Sequence, residues 1–162
     1  MMGNIEYIQL DSDYHLGWYD VAELFTRMYA SMDEMGLMLP LDEGGTAKWL
    51  KSAQNTSGKF GVVILATDGG QAIGFAHGML KFLPDYLGGH AVGTITHLFV
   101  EEDERRSGVG RQLVHELEEW FRQKKVQSVE LQVITGNAVA QEFWTDLGYK
   151  PELLQFRKNY ER

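Results

Sequence analysis

The chain contains no cysteine. That excludes a disulfide framework, a thiol nucleophile and any cysteine-ligated metal site, and no metal is expected. It is also compatible with a reducing cytoplasm. No apolar run approaches the roughly 20 residues that cross a bilayer, so no membrane partner is expected. Basic residues are in deficit, with Lys+Arg 15 against Asp+Glu 23 and a net charge of -8. Nucleic-acid binders usually carry a basic face, and no lysine/arginine block stands out here, so no nucleic-acid partner is expected. An acidic surface aids solubility, and it also attracts cationic substrates such as amines. The N-terminus, Met1-Met2-Gly3-Asn4, lacks a basic segment followed by an apolar core, so no secretory leader is expected. There is no internal repeat, low-complexity tract or linker-like stretch.

What is present fits one domain, residues 1–162. The apolar pattern alternates between strand and helix periods. Ile5 to Leu10 reads as a strand. Val21, Leu24, Phe25 and Met28 recur at helical spacing. Gly36 to Gly45, with Pro40, reads as a loop, and Thr46 to Ser52 as a short helix. Phe60 to Thr67 and Gln71 to Lys81 flank Asp68-Gly69-Gly70 as a hairpin. The segment Phe82 to Gly93 is a loop, and Thr94 to Val100 a fourth strand. Val109, Leu113, Val114, Leu117, Trp120 and Phe121 form one helical stripe. Ser128 to Ile134 is a fifth strand. Asn137 to Leu147 is a last helix stopped by Gly148, and Leu153 to Phe156 is a final strand. This order predicts an α/β fold, a mixed sheet covered by helices.

The densest chemistry lies in Leu98-Phe99-Val100 followed by Arg105-Arg106-Ser107-Gly108-Val109-Gly110-Arg111. A strand ends, glycines follow and a helix begins. Amides at a helix N-terminus are unpaired and sit at the positive end of the dipole. Glycines let a phosphate approach the backbone, and arginines add charged donors. Together these suit a pyrophosphate. The plain alternative is a tight strand-to-helix turn. A Walker loop is excluded because no Gly-Lys-Ser/Thr follows. The dinucleotide fingerprint fails too, because Gln112 and Leu113 stand where its third glycine would fall.

The segment resembles the signature of the GCN5-related N-acetyltransferase (GNAT) superfamily: Arg or Gln, two residues, Gly, one residue, Gly or Ala. Arg105, Gly108 and Gly110 match it. Downstream, Asn137, Ala140, Phe143, Leu147, Gly148 and Tyr149 resemble the superfamily's second motif. The resemblance covers nearly the whole chain. It implies a mostly antiparallel mixed sheet of six to seven strands with about four helices. Its strands 4 and 5 would splay apart after a bulge. It implies acetyl-CoA as cosubstrate, with its pyrophosphate on the Arg105–Arg111 loop and its pantetheine along the main chain of Leu98, Phe99 and Val100. An amide of Leu98 or Phe99 would polarise the acetyl carbonyl. Asn137 would bond pantetheine or simply cap the last helix, and Phe143 would line the cofactor.

The implied reaction is direct attack of a primary amine on the thioester. The resemblance departs from the family pattern at both proton-handling positions. Trp144 stands where many members have a tyrosine acid, and an indole only donates. It can pack on the cofactor, donate toward sulfur, or be plain core. Tyr149 and Tyr160 are remote alternatives. Thr94 and Thr96 stand where many members have a glutamate or histidine base. His97 is adjacent, but strand alternation points it to the other face unless a bulge re-aims it. A packed histidine is the plain alternative; His77 and Glu130 are further candidates. The acceptor is expected to be a small-molecule or peptide amine. A small cationic one, polyamine- or aminoglycoside-like, suits the acidic balance, with Asp33 and Glu34 as candidate contacts. A CoA- or acetyl-CoA-binding sensor that does not turn over is the other reading. Homodimerisation is common in the family, and Leu153, Leu154 and Phe156 could serve it or be core.

Overall fold

The computed structural model describes residues 3–10, 16–37 and 39–160. Met1 and Met2, read above as part of the N-terminus, lie outside the described residues. Five strands form one sheet in sequential order: β1 (Ile5–Leu10), β2 (Gly61–Asp68), β3 (Gln71–Phe82), β4 (Ala91–Val100) and β5 (Val129–Leu131). The first four pair antiparallel, and β4 pairs parallel with β5. Four helices cover the sheet: α1 (Gly17–Glu34), α2 (Gly45–Thr56), α3 (Val109–Gln123) and α4 (Ala138–Asp146). This is the mixed α/β arrangement expected.

The sheet divides two apolar layers. On one face Val62, Ile64, Ala76 and Ile95 meet the α3 stripe Val109, Leu113, Val114, Leu117, Trp120 and Phe121, with Trp144 from α4. On the other, Val63, Leu65, Phe75 and Phe99 meet Trp18, Val21, Leu24, Phe25 and Met28 of α1 and Ala53 of α2. Central β2 is therefore buried on both faces, which explains why Val62-Val63-Ile64-Leu65-Ala66 reads as a continuous apolar run.

Three expectations are corrected. The sheet has five strands among the described residues rather than six or seven. Residues 150–160 have no regular structure and are exposed throughout, so Leu153 to Phe156 is not a strand. A lone segment has no ladder to hold it; Gln132 Nε2, just after β5, donates to Gln155 Oε1 at 2.9 Å. The fifth strand shrinks from Ser128–Ile134 to Val129–Leu131 because the chain leaves β4 after the Ile95–Leu131 pair.

Phe121 packs closely against the sheet at two positions that are glycine. A Cβ at Gly93 would lie 2.7 Å from its ring, and one at Gly78 would lie 2.8 Å from it. The surrounding core leaves the ring little room to move. Gly93→Ala is expected to destabilise the fold by about 1–3 kcal/mol, the usual cost of overpacking. Urea unfolding followed by circular dichroism checks this; an unchanged midpoint would contradict the packing described.

Candidate functional site

The site is organised by one extra residue in β4. His77 pairs with His97 and Gly78 with Ile95, so Thr96 is a β-bulge. The backbone shows the resulting change of side. Before the bulge, Gly93 N–H donates to Ser128 O at 2.9 Å, toward β5. After it, Glu101 N–H donates to Ile73 O at 2.8 Å, toward β3. By antiparallel alternation Phe99 also bonds toward β3, while Leu98 and Val100 turn their N–H and C=O groups the other way. That side is open, because pairing with β5 stops at Ile95. Strands β4 and β5 thus splay, as expected, and leave an edge from Thr96 to Val100 with no strand beside it.

The edge runs into the loop before α3. Arg105 folds back, its Nε donating to Val100 O at 2.9 Å and its guanidinium lying 5.7 Å from the Phe99 ring centroid. Arg106 has φ 71 and Gly108 has φ 90. Left-handed backbone is uncommon for a non-glycine residue and concentrates at functional loops. Ser107 Oγ donates to Glu104 O. The N-terminus of α3 has no side-chain cap and no acidic residue in its first turn. Its first hydrogen bond is Gln112 N–H to Gly108 O at 3.0 Å, so the preceding amides face outward as an anion site. Arg105, Arg106, Ser107 and Gly108 are exposed, as is Arg111. Val109 is buried in the core, so only its main chain can serve a ligand. Gly110 lies beneath Phe143: a Cβ there would lie 3.4 Å from the Phe143 ring and 3.7 Å from Val100 Cγ2. Val100, the loop and α4 therefore converge.

Asn137 is the N-cap of α4 and accepts from Ala140 N–H at 3.0 Å, which is the capping role. Trp144 is buried between Phe143 and Tyr149, with ring centroids 5.1 and 5.2 Å away. Tyr149 O–H donates to Glu118 Oε2 at 2.8 Å. Burial first, and the Glu118 carboxylate second, push its pKa far above the ordinary tyrosine value. Tyr160 is exposed. Glu130 is paired with Lys81 at 2.8 Å.

The bulge also decides where His97 points. It puts the ring on the α1/α2 face, 5.2 Å from Phe25, 5.5 Å from Trp49 and 5.8 Å from His77, centroid to centroid. Thr96 Oγ1 lies 2.9 Å from His97 Nδ1, 2.6 Å from His77 Nδ1 and 3.1 Å from His77 O. Burial pulls the His97 pKa down to about 4. Burial, and then the neighbouring His97, pull His77 down to about 3. Both rings are therefore neutral at neutral pH. Beside them, a cavity of about 230 Å³ between α1 and the loop that follows is lined by Thr26, Tyr29, Ala30, Asp33, Leu37, Pro40 and Leu41. Tyr29 links the two, its ring 6.2 Å from His97. Glu34 is exposed on the last turn of α1. The cavity and the Thr96 contact to both histidines were not read from the sequence. The apolar spacing of α1 gave Phe25 but no signal for Trp49, which comes from α2.

Comparison with known proteins places this geometry. Residues 18–149 match the model of the Acetyltransferase (GNAT) family. No curated protein sequence matches the chain. Among solved structures, an aminoglycoside N-acetyltransferase, AAC(6')-Iy, in complex with CoA aligns over 99% of this chain and 98% of its own, with TM-score 0.76 and 17% identity. A soil-metagenome aminoglycoside acetyltransferase in complex with sisomicin aligns over 97% of each chain, with TM-score 0.71 and 16% identity. A tetramutant of the BH1408 protein from Bacillus halodurans aligns over 96% of this chain and 99% of its own, with TM-score 0.78 and 20% identity. The fold is that of an acetyltransferase domain. The chain belongs to the GNAT acetyltransferase family. Among the described residues, no helix is long and apolar enough to cross a membrane, and no group of three or more metal-ligating side chains is present.

The depressed pKa of His77 makes a stability prediction. Its folded value, about 3, lies below the ordinary 6.5, so the unfolded chain binds more protons between those values. Stability is then full above about pH 6.5 and falls as pH drops. At pH 5 the loss from His77 alone is about 2 kcal/mol. Urea unfolding of the wild type and His77→Asn at pH 7.5 and pH 5 checks this. The variant should lose less stability on acidification than the wild type; equal losses would contradict it.

Proposed function

We propose that this protein is a cytoplasmic acetyl-CoA-dependent N-acetyltransferase that acetylates a small, cationic primary amine. The observation that carries the reading is the unpaired β4 edge, which opens at the Thr96 bulge and ends at the uncapped N-terminus of α3. Leu98 and Val100 supply main-chain groups for the pantetheine arm, in the manner of an added strand. Phe99 forms the floor beneath Arg105. The outward amides from Gly108 to Arg111 hold the pyrophosphate, and Arg105, Arg106, Ser107 and Arg111 ring it with donors. Phe143 covers Gly110 and walls the grip. Asn137 fixes the start of α4, and Trp144 sets that helix against the core.

Acetyl-CoA supplies the activated acyl group. The protein's share of the chemistry falls to His97, whose neutral imidazole accepts the proton that the amine loses on attack. The departing thiolate resembles a cysteine thiolate, with a thiol pKa of about 8.5, so no protein acid is needed. Trp144 and Tyr149 are accordingly assigned packing parts. Tyr29 and Asp33 in the adjoining cavity receive the acceptor's cationic end. That solved neighbours include aminoglycoside acetyltransferases supports an acceptor of this kind. Exposed Leu153, Leu154, Phe156 and Tyr160 at the C-terminus support a homodimer.

Calorimetric titration with CoA and a thiol-release assay over an amine panel test the reading. Gly110→Glu puts a carboxylate into the phosphate grip and is expected to weaken CoA binding on the order of 100-fold with the fold retained. His97→Gln is expected to lower kcat on the order of 100-fold or more while CoA affinity stays unchanged. Tight CoA binding without turnover on any amine would replace the enzyme with a CoA sensor; no CoA binding would remove both. Light scattering should give twice the chain mass, and Phe156→Glu should shift it toward the monomer.

A further inference from the structure

Thr96 has a hydroxyl within hydrogen-bond distance of three groups: His77 Nδ1 at 2.6 Å, His97 Nδ1 at 2.9 Å and His77 O at 3.1 Å. A hydroxyl has one proton and two lone pairs. A carbonyl oxygen can only accept, so the bond to His77 O takes the Thr96 proton. The two lone pairs then receive the two imidazoles, each as an Nδ1–H donor. This assignment uses every partner in the cluster. Two alternatives exist, and both leave the 3.1 Å contact to the carbonyl without a proton. One gives the Thr96 proton to His97 Nδ1 at 2.9 Å. The other gives it to His77 Nδ1 and forces an N–H onto His77 Nε2. That atom is buried and has no partner among the described residues. A lone pair there is the less costly orphan, because a buried unpaired donor loses its hydration outright. Histidine tautomers are set in this way by the bond the other nitrogen makes.

We propose that Thr96 is a positioning residue, whose hydroxyl holds both His77 and His97 as Nδ1–H tautomers and so keeps the lone pair of His97 Nε2 available to the acceptor amine. The proposal rests on the reading of His97 as the base. The step balances: the amine nitrogen forms the N–C bond, its N–H bond breaks, and the proton goes to Nε2. The C–S bond breaks and its electron pair leaves with sulfur. The imidazolium still donates Nδ1–H to Thr96, which passes polarisation on to the His77 carbonyl. His77 stays neutral throughout, since a second cation would lie 5.8 Å away, and it serves as a spacer that fills the second lone pair. The groups facing His97 are Tyr29 and Phe25 from α1, Trp49 from α2 and His77 from β3. On β2, Val63 lies opposite His77 in the sheet. None of these is a carboxylate, so among the described ring contacts of His97 none competes with Thr96 for the role of orienter.

The β-bulge is what makes the arrangement available. It leaves Thr96 as the unpaired extra residue between the two paired histidines, with its side chain free to reach both.

The test is the protonation pattern of the ring nitrogens, read by long-range 1H–15N correlation at about pH 7.5, alongside steady-state kinetics. Wild type should show Nδ1–H with a bare Nε2 at both rings. Thr96→Val keeps the shape but removes the hydroxyl. It should shift His97 to Nε2–H and lower kcat roughly tenfold to a hundredfold, with KM for the amine within about twofold. Thr96→Ser should keep the wild-type pattern and most of kcat, and melting curves verify that both variants are folded. The proposal is overturned by Nε2–H at His97 in the wild type, by a pattern in Thr96→Val that does not change, or by a changed pattern with undiminished kcat. Failure of the underlying base reading looks different: His97→Gln would retain activity whatever the tautomers are.

Discussion

A single unpaired residue in β4 sets both halves of the site. Hydrogen-bonding direction and side-chain direction both alternate with a period of two along a strand, so inserting Thr96 reverses both from that point on. One reversal turns Leu98 and Val100 toward the gap beside β5. The other turns His97 toward α1 and α2. Without the insertion, His97 would enter the α3 layer and the edge amides would be consumed differently. The open edge and the placement of His97 are thus consequences of the same local irregularity.

The gap exists because β5 is short. After Leu131 the chain moves away toward Asn137 and α4, and α4 returns Phe143 to Gly110. The open edge is therefore bounded on one side by β4, and at its loop end the Phe143 ring, 33 positions beyond Gly110, packs over that glycine. At its far end lies the α3 N-terminus, where the left-handed Arg106 and Gly108 bend the backbone so that the leading amides face outward. At its near end lies the aromatic enclosure of Phe25, Tyr29 and Trp49. This enclosure keeps both histidines neutral by excluding water. His97 thus lies at one end of the open edge, and the uncapped N-terminus of α3 lies beyond the other.

Much of the fold was legible because the local signals agreed with one another. The hairpin at Asp68-Gly69-Gly70, the α3 stripe and the Asn137 cap all fell where local physics put them. The C-terminal strand failed for an instructive reason. Leu153 to Phe156 has strand composition, but a strand needs a partner, and pairing is not a local property. His97 was ambiguous for a related reason. Alternation pointed it away from the site, and only the register with β3 reveals the bulge that brings it back. Trp144 illustrates the converse. A motif position suggested chemistry, and packing between Phe143 and Tyr149 placed the ring inside the core.

The sequence by itself determined most of the elements and the glycine loop at the start of α3, because turn chemistry and apolar period are read within a few residues of chain, and its two motifs carry the resemblance to the superfamily. Only the tertiary structure decided the bulge at Thr96, the shared hydroxyl between His77 and His97, the cavity beside Tyr29 and Asp33, and the exposure of the C-terminal segment. Each of these depends on which distant residues lie opposite one another. Strand register sets that, and no single stretch of sequence encodes it.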